Sequence, residues 1–385
     1  MAALQQMQAR LRNDTIAAMA ETAPVPLDAL GEEALGAWLA PAALIAGEGA
    51  QRAAAAGFAL PLAGGPCAFA AVEVLARRGG AVSSALAPLA QVRAWAAGHG
   101  AAMERHIEAR LAALAAPRPD WAGLPLARPL VMGIVNVTPD SFSDGYPDPD
   151  DAIAHGRTLL AAGADILDVG GESTRPGATP VTPADEIRRI APVLRALVAT
   201  GAPVSIDTRH AAVMAMALEA GARIVNDVTA LAGDRDSLGV AARAGASVVL
   251  MHMQGEPATM QREPRYAFAP LDVLEDLAAR VAACDAAGIP RGRVVVDPGI
   301  GFGKTRQHTL QILARLTLFQ ALGTGVMVGL SRKSFLGKGA AGERLAGSLA
   351  GALDAVAKGA QIVRVHDVAE TRQALALYAA IASGP

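Results

Sequence analysis

The stretch Gly221-Ala-Arg-Ile-Val-Asn-Asp227 contains a helix end, a short strand and a polar strand end, in that order. A Gly-Ala pair is typical of a helix terminus, because glycine tolerates the left-handed conformation of a C-cap. The β-branched residues Ile224 and Val225 within 223–225 are typical of a strand. The succession recurs from residue 130 onward, with further Gly-Ala pairs at 163, 245 and 359. This repeat predicts a series of βα units.

Eight such apolar runs follow one another in the second part of the chain. The predicted strands are 130–135, 165–169, 204–206, 223–225, 247–251, 293–296, 325–330 and 361–365. Longer Ala- and Leu-rich stretches with a helical pattern lie between them, at 183–199, 209–220, 271–287 and 343–358. Eight units in about 255 residues match a closed barrel. We therefore predict an α/β fold, a (β/α)8 TIM barrel over residues 123–385. An open doubly wound sheet normally has fewer strands and a G-x-G-x-x-G first turn, which residues 136–145 lack.

Each predicted strand ends in a polar or charged residue. Parallel strands buried on both faces are continuous apolar runs, so a polar side chain marks the point where the strand emerges. Catalytic groups of TIM barrels lie at these carboxyl ends. The polar strand ends are Asn136, Asp168, Asp207, Asn226, His252, Asp297, residues 331–333, Arg364 and His366. We expect an active site on this rim.

Residues 1–122 differ from the barrel sequence, because they are Ala-rich and contain no recognisable catalytic constellation. Their pattern predicts a smaller, mostly helical N-terminal domain, with clear helices at 68–78 and 92–114. Pro117, Pro119 and Pro125 indicate a linker at 116–126.

Composition limits the partners of the chain. The formal net charge of 385 residues is -2, so no global field attracts nucleic acid or an anionic membrane. Cys67 and Cys284 are far apart and have no metal-ligand spacing, which favours buried free thiols and a cytoplasmic location. The apolar stretch at 58–75 contains Gly64, Gly65 and Pro66, and the first 15 residues lack the apolar core of a signal peptide. We expect neither a nucleic-acid partner nor a membrane segment.

The segment Asp297-Pro-Gly-Ile-Gly-Phe-Gly-Lys-Thr305 has some features of a nucleotide phosphate loop. That motif needs four residues between its first glycine and Gly-Lys, and Pro298 occupies the position of that glycine. We interpret the segment instead as a flexible turn that presents Asp297 and lets Phe302 cover a flat ligand.

Three polar strand ends suit a planar heterocycle. Asp207, Asn226 and Asp297 are each compatible with simple helix N-caps. Together on one rim they can bind amidine-like N–H donors, because carboxylates accept hydrogen bonds and Asn both donates and accepts. Lys333 can donate to a ring carbonyl or nitrogen.

Arg364 and His366 alternate on the last strand and therefore lie on the same face. The planar fork of arginine favours phosphate oxygens, and the last strands of TIM barrels are frequent phosphate sites. The alternative is a surface ion pair with Asp367.

The barrel region resembles the dihydropteroate synthases over about residues 130–380. The motifs, in chain order, are GIVNVTPDSFSDG (133–145), GADILDVGGESTRPGA (163–178), SIDT (205–208), VND (225–227), MHMQGEPATMQ (251–261), DPGIGFGKT (297–305), GLSRKSFLG (329–337) and RVHDV (364–368). Tyr146 and Ser348 depart from the family pattern, in which Gly and Thr are common at these positions.

The resemblance implies condensation of 6-hydroxymethyl-7,8-dihydropterin diphosphate with 4-aminobenzoate in folate biosynthesis, with release of diphosphate. It implies that Asp207, Asn226, Asp297 and Lys333 hold the pterin. The diphosphate would be bound by Arg364 and His366, with Val365 between them among the substrate-binding residues. Asn136 would bind a Mg²⁺ cofactor that bridges the diphosphate.

The second substrate would be enclosed by Thr174, Arg175 and Pro176. Phe302 would stack on it, and Ser334 would meet its carboxylate at a helix N-terminus. The resemblance makes Lys333, Asp297, Arg364, His366 and Arg175 the catalytic candidates. It also implies a homodimer.

Two alternatives remain at this point. A pterin-binding methyltransferase shares the barrel and its polar ring, but would not need the STRPGA loop (173–178) or the SRKS segment (331–334). A non-catalytic pterin-binding barrel would not need every expected charged residue, all of which are present.

Overall fold

The computed structural model describes residues 22–78, 81–138, 145–173, 181–257, 259–337 and 339–383. An N-terminal α/β domain precedes a closed parallel barrel. The strands of the N-terminal domain are β1 (Thr22–Pro24), β2 (Trp38–Ile45), β3 (Leu60–Pro61), β4 (Ala68–Arg78) and β5 (Ala81–Pro88). Its helices are α1 (Glu48–Ala55), α2 (Leu89–Gly98) and α3 (Ala101–Ala115), with a 3₁₀ segment at Leu27–Leu35. The sheet order is β1-β5-β4-β2, with β3 also paired to β4.

The helix predicted at 68–78 is wrong, because these residues form β4, the central strand of this sheet. Val72 and Val74 pack on one face of the strand, whereas Leu75 belongs to the core of the barrel. A strand covered on both faces loses the alternation that identifies it, and its alanines imitate a helix. The segment predicted as one helix at 92–114 is helical, but it forms two helices, α2 and α3, which are separated at Gly100, where φ is 95°. The N-terminal region is therefore helical only in part.

The barrel contains the eight strands β6 (Leu130–Asn136), β7 (Ile166–Gly170), β8 (Val204–Asp207), β9 (Ile224–Asp227), β10 (Ser247–Met251), β11 (Val294–Asp297), β12 (Gly325–Val328) and β13 (Ile362–Val365). All neighbouring pairs are parallel, and β13 pairs with β6 to close the cylinder. The predicted TIM barrel is confirmed, and the strand positions agree with the prediction to within two residues. The glycines of the four Gly-Ala pairs have positive φ, as a helix C-cap requires.

The barrel helices are α4 (Pro149–Ala161), α5 (Pro183–Val198), α6 (Ala211–Glu219), α7 (Ser237–Ala244), α8 (Ala269–Ala286), α9 (Arg306–Ala314), α10 (Leu345–Ala357) and α11 (Val368–Ser383). Short 3₁₀ segments lie at Arg291–Arg293, Leu316–Leu322, Ser334–Leu336 and Ala341–Arg344. The main core fills the layer between these helices and the strands, where Val131, Leu167 and Val296 are buried.

The predicted linker closes the amino end of the barrel. Trp121 and Leu126 belong to the cluster that fills the interior of the cylinder with Leu130 and Met132. The indole Nε1 of Trp121 donates a 3.0 Å hydrogen bond to the carbonyl of Arg293. This segment is thus an ordered plug as well as a connection.

The N-terminal sheet packs against the side of the barrel. Arg77 of β4 donates to Glu275 of α8 at 2.8 Å and also pairs with Asp272. Glu73 accepts from Arg315 at 2.9 Å, and Thr317 Oγ1 donates to the carbonyl of a β2 residue at 2.8 Å. Charged and backbone contacts therefore couple the domain to α8 and to the segment after α9.

Across the described ranges, we find no helix with the length and apolarity that a membrane crossing requires. Cys67 and Cys284 are buried free thiols, as expected.

Candidate active site

A cavity of about 760 Å³ opens at the carboxyl ends of the barrel strands. Its wall contains residues from β6, β8, β9, β11, β12 and β13 and from the loops that follow them. The predicted site residues that line it are Asn136, Asp207, Asn226, Asp297, Phe302, Lys333, Ser334, Arg364 and His366. The barrel thus brings together residues that are more than 200 positions apart in sequence.

Asp168 is the centre of the charged floor. It lies in the middle of β7 with no solvent exposure, and its Oδ2 accepts from Arg364 Nε at 2.5 Å and from Asn226 Nδ2 at 3.0 Å. Asp207 Oδ2 accepts from Arg364 Nη2 at 2.6 Å. Asp168 therefore orients both Asn226, which is predicted to bind the pterin, and Arg364, which is predicted to bind phosphate.

Burial controls the electrostatics of this floor. Burial raises the pKa of Asp207, and the negative charge of Asp168 adds to the effect, whereas Arg364 opposes it. For Arg364, burial acts to lower the pKa, but Asp168 and Asp207 outweigh it and raise the pKa above its ordinary value. The guanidinium is permanently charged, and Nη1 carries two N–H donors beyond these ion pairs.

Asp297 and Lys333 form a second polar pair. Asp297 is 5% exposed, and its Oδ1 accepts from the N–H of Gly299 at 2.7 Å. Burial raises the pKa of Asp297, while Lys333 opposes the shift. Burial also lowers the pKa of Lys333 to about 8, against the attraction of Asp297. Lys333 donates to the carbonyl of Ile300, and its Nζ lies 4.6 Å from the centre of the Phe302 ring. The pair offers an acceptor and a donor beside an aromatic face.

Contacts of Gly299 and Lys304 hold the loop after β11 in place, whereas the sequence predicted a flexible turn. Gly299 has φ 66°, and a Cβ there would lie 1.9 Å from the carbonyl oxygen of His252. Lys304, which is 4% exposed, donates to the carbonyl of Phe302 at 2.9 Å. Glycine is needed because the loop lies directly against the chain after β10. The position of Phe302 is therefore set by contacts on both sides of the loop.

His366 is oriented by Ser331. The hydroxyl oxygen of Ser331 accepts from the N–H of His366 at 3.2 Å and lies 2.9 Å from its Nδ1. When that hydroxyl donates to Nδ1, the neutral imidazole carries its proton on Nε2. Asp367 pairs with Arg332 at 2.6 Å, and Arg364 pairs with Asp168 and Asp207, so the alternative of a surface ion pair between Arg364 and Asp367 is wrong.

Two predicted residues, Val365 and Ser334, lie differently from expectation. Val365 packs in the layer between strands and helices, because alternate side chains of β13 point to opposite faces. Only its backbone can face a ligand. Ser334 is exposed at a three-residue 3₁₀ turn rather than at the start of an α-helix.

Thr174, Arg175 and Pro176 lie outside the described residues, as does the segment 139–144 of the first long loop. Their expected contacts with the second substrate stay predictions.

The sequence places Asp168 and His252 among the polar strand ends without a specific role, and it gives Lys304 none. An acidic residue inside the apolar run of β7 was the available signal for Asp168. In the sequence, Lys304 belongs to the segment at 297–305, which has some features of a phosphate loop. Its Nζ lies 2.9 Å from Nδ1 of His252, a contact between the loops after β11 and β10 that sequence spacing does not reveal.

A second cleft of about 780 Å³ lies at the amino end of the barrel, beside Asp120, Arg223 and Arg293. It is on the opposite end from the converging strand ends and contains none of the predicted residues. The chemistry therefore belongs to the first cavity.

The fold and this cavity define a TIM-barrel enzyme whose site combines acceptors for a planar heterocycle with donors for an anionic group. Residues 132–366 match the family described as pterin binding enzyme, and the chain belongs to that family.

Named relatives and solved structures agree. The chain is 47% identical to the dihydropteroate synthase of Neisseria meningitidis serogroup B over 268 residues, 66% of this chain and 94% of the relative. The structure of Xanthomonas albilineans dihydropteroate synthase with 4-aminobenzoic acid is 46% identical, covers 70% of this chain and 99% of its own, and has a TM-score of 0.65. The same enzyme in complex with 7,8-dihydropteroate gives 43% identity, coverage of 70% and 100%, and a TM-score of 0.63. The family match begins after the N-terminal domain.

Proposed function

We propose that this chain is a dihydropteroate synthase, which condenses 6-hydroxymethyl-7,8-dihydropterin diphosphate with 4-aminobenzoate. The observation that carries the proposal is the convergence of Asp207, Asn226, Asp297 and Lys333 with Arg364 and His366 in one cavity. Relatives that share the barrel at 43% to 46% identity are described with 4-aminobenzoic acid and with 7,8-dihydropteroate, one substrate and the product of this reaction.

The pterin fits the deep end of the cavity. Asp297 and Asp207 can accept hydrogen bonds from the ring N–H groups, and Asn226 can both donate and accept. Lys333 can donate to a ring oxygen or nitrogen. A site of this kind discriminates strongly, because a ligand without the matching groups leaves buried polar atoms unpaired.

The diphosphate fits the donors of the last strand. Arg364 can direct its remaining N–H groups to phosphate oxygens, and His366 can donate from Nε2. The floor carboxylates Asp168 and Asp207 hold the guanidinium in place, which reduces the reorganisation needed when charge develops on the leaving group.

Mg²⁺ fits the oxygen donor of Asn136 at the end of β6, on the cavity wall. In the described residues no cluster of three His, Cys, Asp or Glu side chains is arranged to hold a metal. This suits an ion bound largely by substrate phosphate oxygens and water, as Mg²⁺ commonly is. When bound, Mg²⁺ would neutralise charge on the diphosphate.

The reaction requires no strong base, because an aryl amine is uncharged and nucleophilic at neutral pH. The bond between the pterin methylene and the diphosphate oxygen breaks, and its electron pair leaves with the diphosphate. The amine nitrogen forms the new C–N bond and releases a proton to solvent. Arg364 and His366 stabilise the departing charge, and Asp297 offsets positive charge in the pterin ring.

We infer a dissociative displacement through a cation-like pterin. Single-turnover measurements test it: diphosphate release should precede attack by the amine. A chemical rate that depends linearly on 4-aminobenzoate, with no earlier diphosphate release, would contradict it.

The second substrate would lie against Phe302, near the rim. Its carboxylate would meet Ser334, with Thr174, Arg175 and Pro176 closing over it as the resemblance implies. Lys333 lies against the same ring and would connect the two substrate positions.

The activity is tested by measuring diphosphate and 7,8-dihydropteroate with the full-length chain, Mg²⁺ and both substrates. Release of diphosphate should require 4-aminobenzoate over many turnovers. Folded protein that binds the pterin but releases no diphosphate would instead indicate a non-catalytic barrel, and methyl transfer would indicate a methyltransferase.

We also propose a cytoplasmic homodimer. The free thiols Cys67 and Cys284 support the cytoplasm, and the exposed Leu377 and Ile381 of α11 support a further apolar contact. Light scattering of the purified chain tests the dimer, and a mass of one chain at micromolar concentration would contradict it.

A further inference from the structure

Lys304 uses all of its donors inside the protein. Its Nζ contacts the carbonyl of Phe302 at 2.9 Å, the carbonyl of His252 at 3.2 Å and Nδ1 of His252 at 2.9 Å. An ammonium group has three N–H donors and cannot accept, so these three acceptors satisfy it completely. The side chain therefore ties the loop after β11 to the chain after β10.

His252 connects Lys304 to an exposed residue on the surface. Its Nε2 lies 3.1 Å from Oδ2 of Asp276, whose side chain is 72% exposed on α8. A carboxylate only accepts, so Nε2 carries the proton and the lone pair of Nδ1 receives the N–H of Lys304. The direction of donation is thus fixed along the whole chain from Lys304 to Asp276.

The N-terminal domain holds the helix at the outer end of this chain. Arg77 of β4 binds Glu275 and Asp272, which neighbour Asp276 on α8. Arg315, paired with Glu73, also lies 5.1 Å from the ring of Phe268 at the start of α8. These contacts restrain α8 from the side opposite the barrel core.

We propose that Lys304 is a positioning residue for the arylamine site. Together with His252 and Asp276 it forms a latch that fixes the Phe302 loop, while the N-terminal domain steadies the outer end of the latch through α8. The inference rests on the proposed function, because Phe302 is the surface on which 4-aminobenzoate would lie. On the pterin side, Asp207 is held by Arg364 and Asn226 by Asp168, and neither contact involves the latch.

The hydrogen bond from Lys304 to His252 requires an unprotonated Nδ1, and acid removes this acceptor. Protonation of His252 places a hydrogen on Nδ1, so that an N–H would face the Lys304 ammonium and the contact would be lost. Burial lowers the pKa of His252, and the charge of Lys304 adds to this effect, whereas Asp276 opposes it. The other titratable groups facing the latch are Asp297, Lys333 and Tyr266. Burial also lowers the pKa of Lys304, to about 7, so the contact should change on both sides of neutrality: acid protonates Nδ1 of His252, and alkali removes a proton from Lys304.

The test compares Asp276→Ala with Asp276→Asn, because this exposed side chain can be changed without unfolding the barrel. In Asp276→Ala, the imidazole of His252 loses the acceptor that keeps its proton on Nε2. We therefore expect the KM for 4-aminobenzoate to rise by about fivefold at neutral pH, with kcat and the KM for the pterin little changed. The amide still accepts from Nε2, so Asp276→Asn should keep a KM close to that of the wild type. Both changes remove a charge that favours protonated His252, so the acid limb of the KM profile should move to lower pH.

Lys304→Met tests the centre of the latch and should raise the KM for 4-aminobenzoate by about tenfold or more. Lys358→Met is the matched control, because Lys358 also donates to a carbonyl and a carboxylate, at 2.8 Å each, but away from the cavity. Arg77→Met should raise the same KM by about twofold, with Arg93→Met as its control inside the N-terminal domain.

The outcomes separate the two proposals. A folded wild-type chain without diphosphate release would refute the proposed function. An active wild type combined with unchanged KM values and an unshifted acid limb in the Asp276 variants would refute the latch. An effect of Asp276→Ala without any effect of Arg77→Met would remove the N-terminal domain from it.

Discussion

Oδ2 of Asp168 accepts a 2.5 Å hydrogen bond from Nε of Arg364, with no solvent exposure of the carboxylate. The two residues lie on β7 and β13, which are separated in the barrel by β6. Their ion pair therefore crosses the interior of the cylinder rather than joining adjacent strands. It links the stability of the barrel to the geometry of the site.

Asp168→Ala should destabilise the chain by about 3 kcal/mol, because a buried arginine and Asn226 lose their common acceptor. Urea unfolding followed by circular dichroism measures the change. The control Asp285→Ala removes an exposed partner of Arg291 and should cost about 0.5 kcal/mol. Equal effects of the two variants would show that the crossing pair has no special role.

Activity should decline at alkaline pH as Lys333 loses its proton. Burial lowers the pKa of this group to about 8, so the donating ammonium is present below that pH and is lost above it. We expect kcat/KM for the pterin diphosphate to fall through this range.

Lys333→Arg keeps a permanent charge and should move the alkaline limb upward, although its different shape lowers the rate. Lys333→Ala and Asp297→Ala should abolish turnover while leaving the circular dichroism spectrum unchanged. A Lys333→Arg variant with the alkaline limb of the wild type would assign that limb to another group.

Trp121→Ala should cost about 3 to 5 kcal/mol of unfolding free energy, because it empties the plug at the amino end of the barrel. Trp121→Phe retains most of the volume but loses the hydrogen bond to the carbonyl of Arg293, which should lower the unfolding free energy by about 1 kcal/mol. Phe58, 75% exposed, is the aromatic control, and Phe58→Ala should change little. Denaturant titrations distinguish these values, and a tolerated Trp121→Ala would mean that the segment is only a linker.

Removal of divalent cations with EDTA should stop diphosphate release, and added Mg²⁺ should restore it. Asn136→Ala should raise the Mg²⁺ concentration for half-maximal activity by about tenfold, because it removes the proposed protein ligand. A titration with Mg²⁺ at saturating substrates measures this. An unchanged Mg²⁺ requirement in the variant would place the ion elsewhere.

The barrel could be predicted from the sequence because the residues that mark each βα unit are close together in the chain. Gly221 and Ala222 end a helix, the next apolar residues form β9, and Asn226 marks the strand end, all within seven positions. Eight repetitions of a local pattern have few topologies compatible with short right-handed connections. The motifs around Asp297 and Lys333 likewise identified the rim on which the site lies.

The N-terminal sheet and the latch could not be predicted from the sequence, because they depend on contacts between residues that are far apart in the chain. β4 is a strand through its pairing with β2 and β5, although its alanines favour a helix. Lys304 meets His252 across 52 positions, and Asp168 meets Arg364 across 196. The sequence alone determined the barrel, the rim and the residue types of the site. The tertiary structure decided which buried charges are paired, because that depends on distances between strands and on the water excluded when they pack.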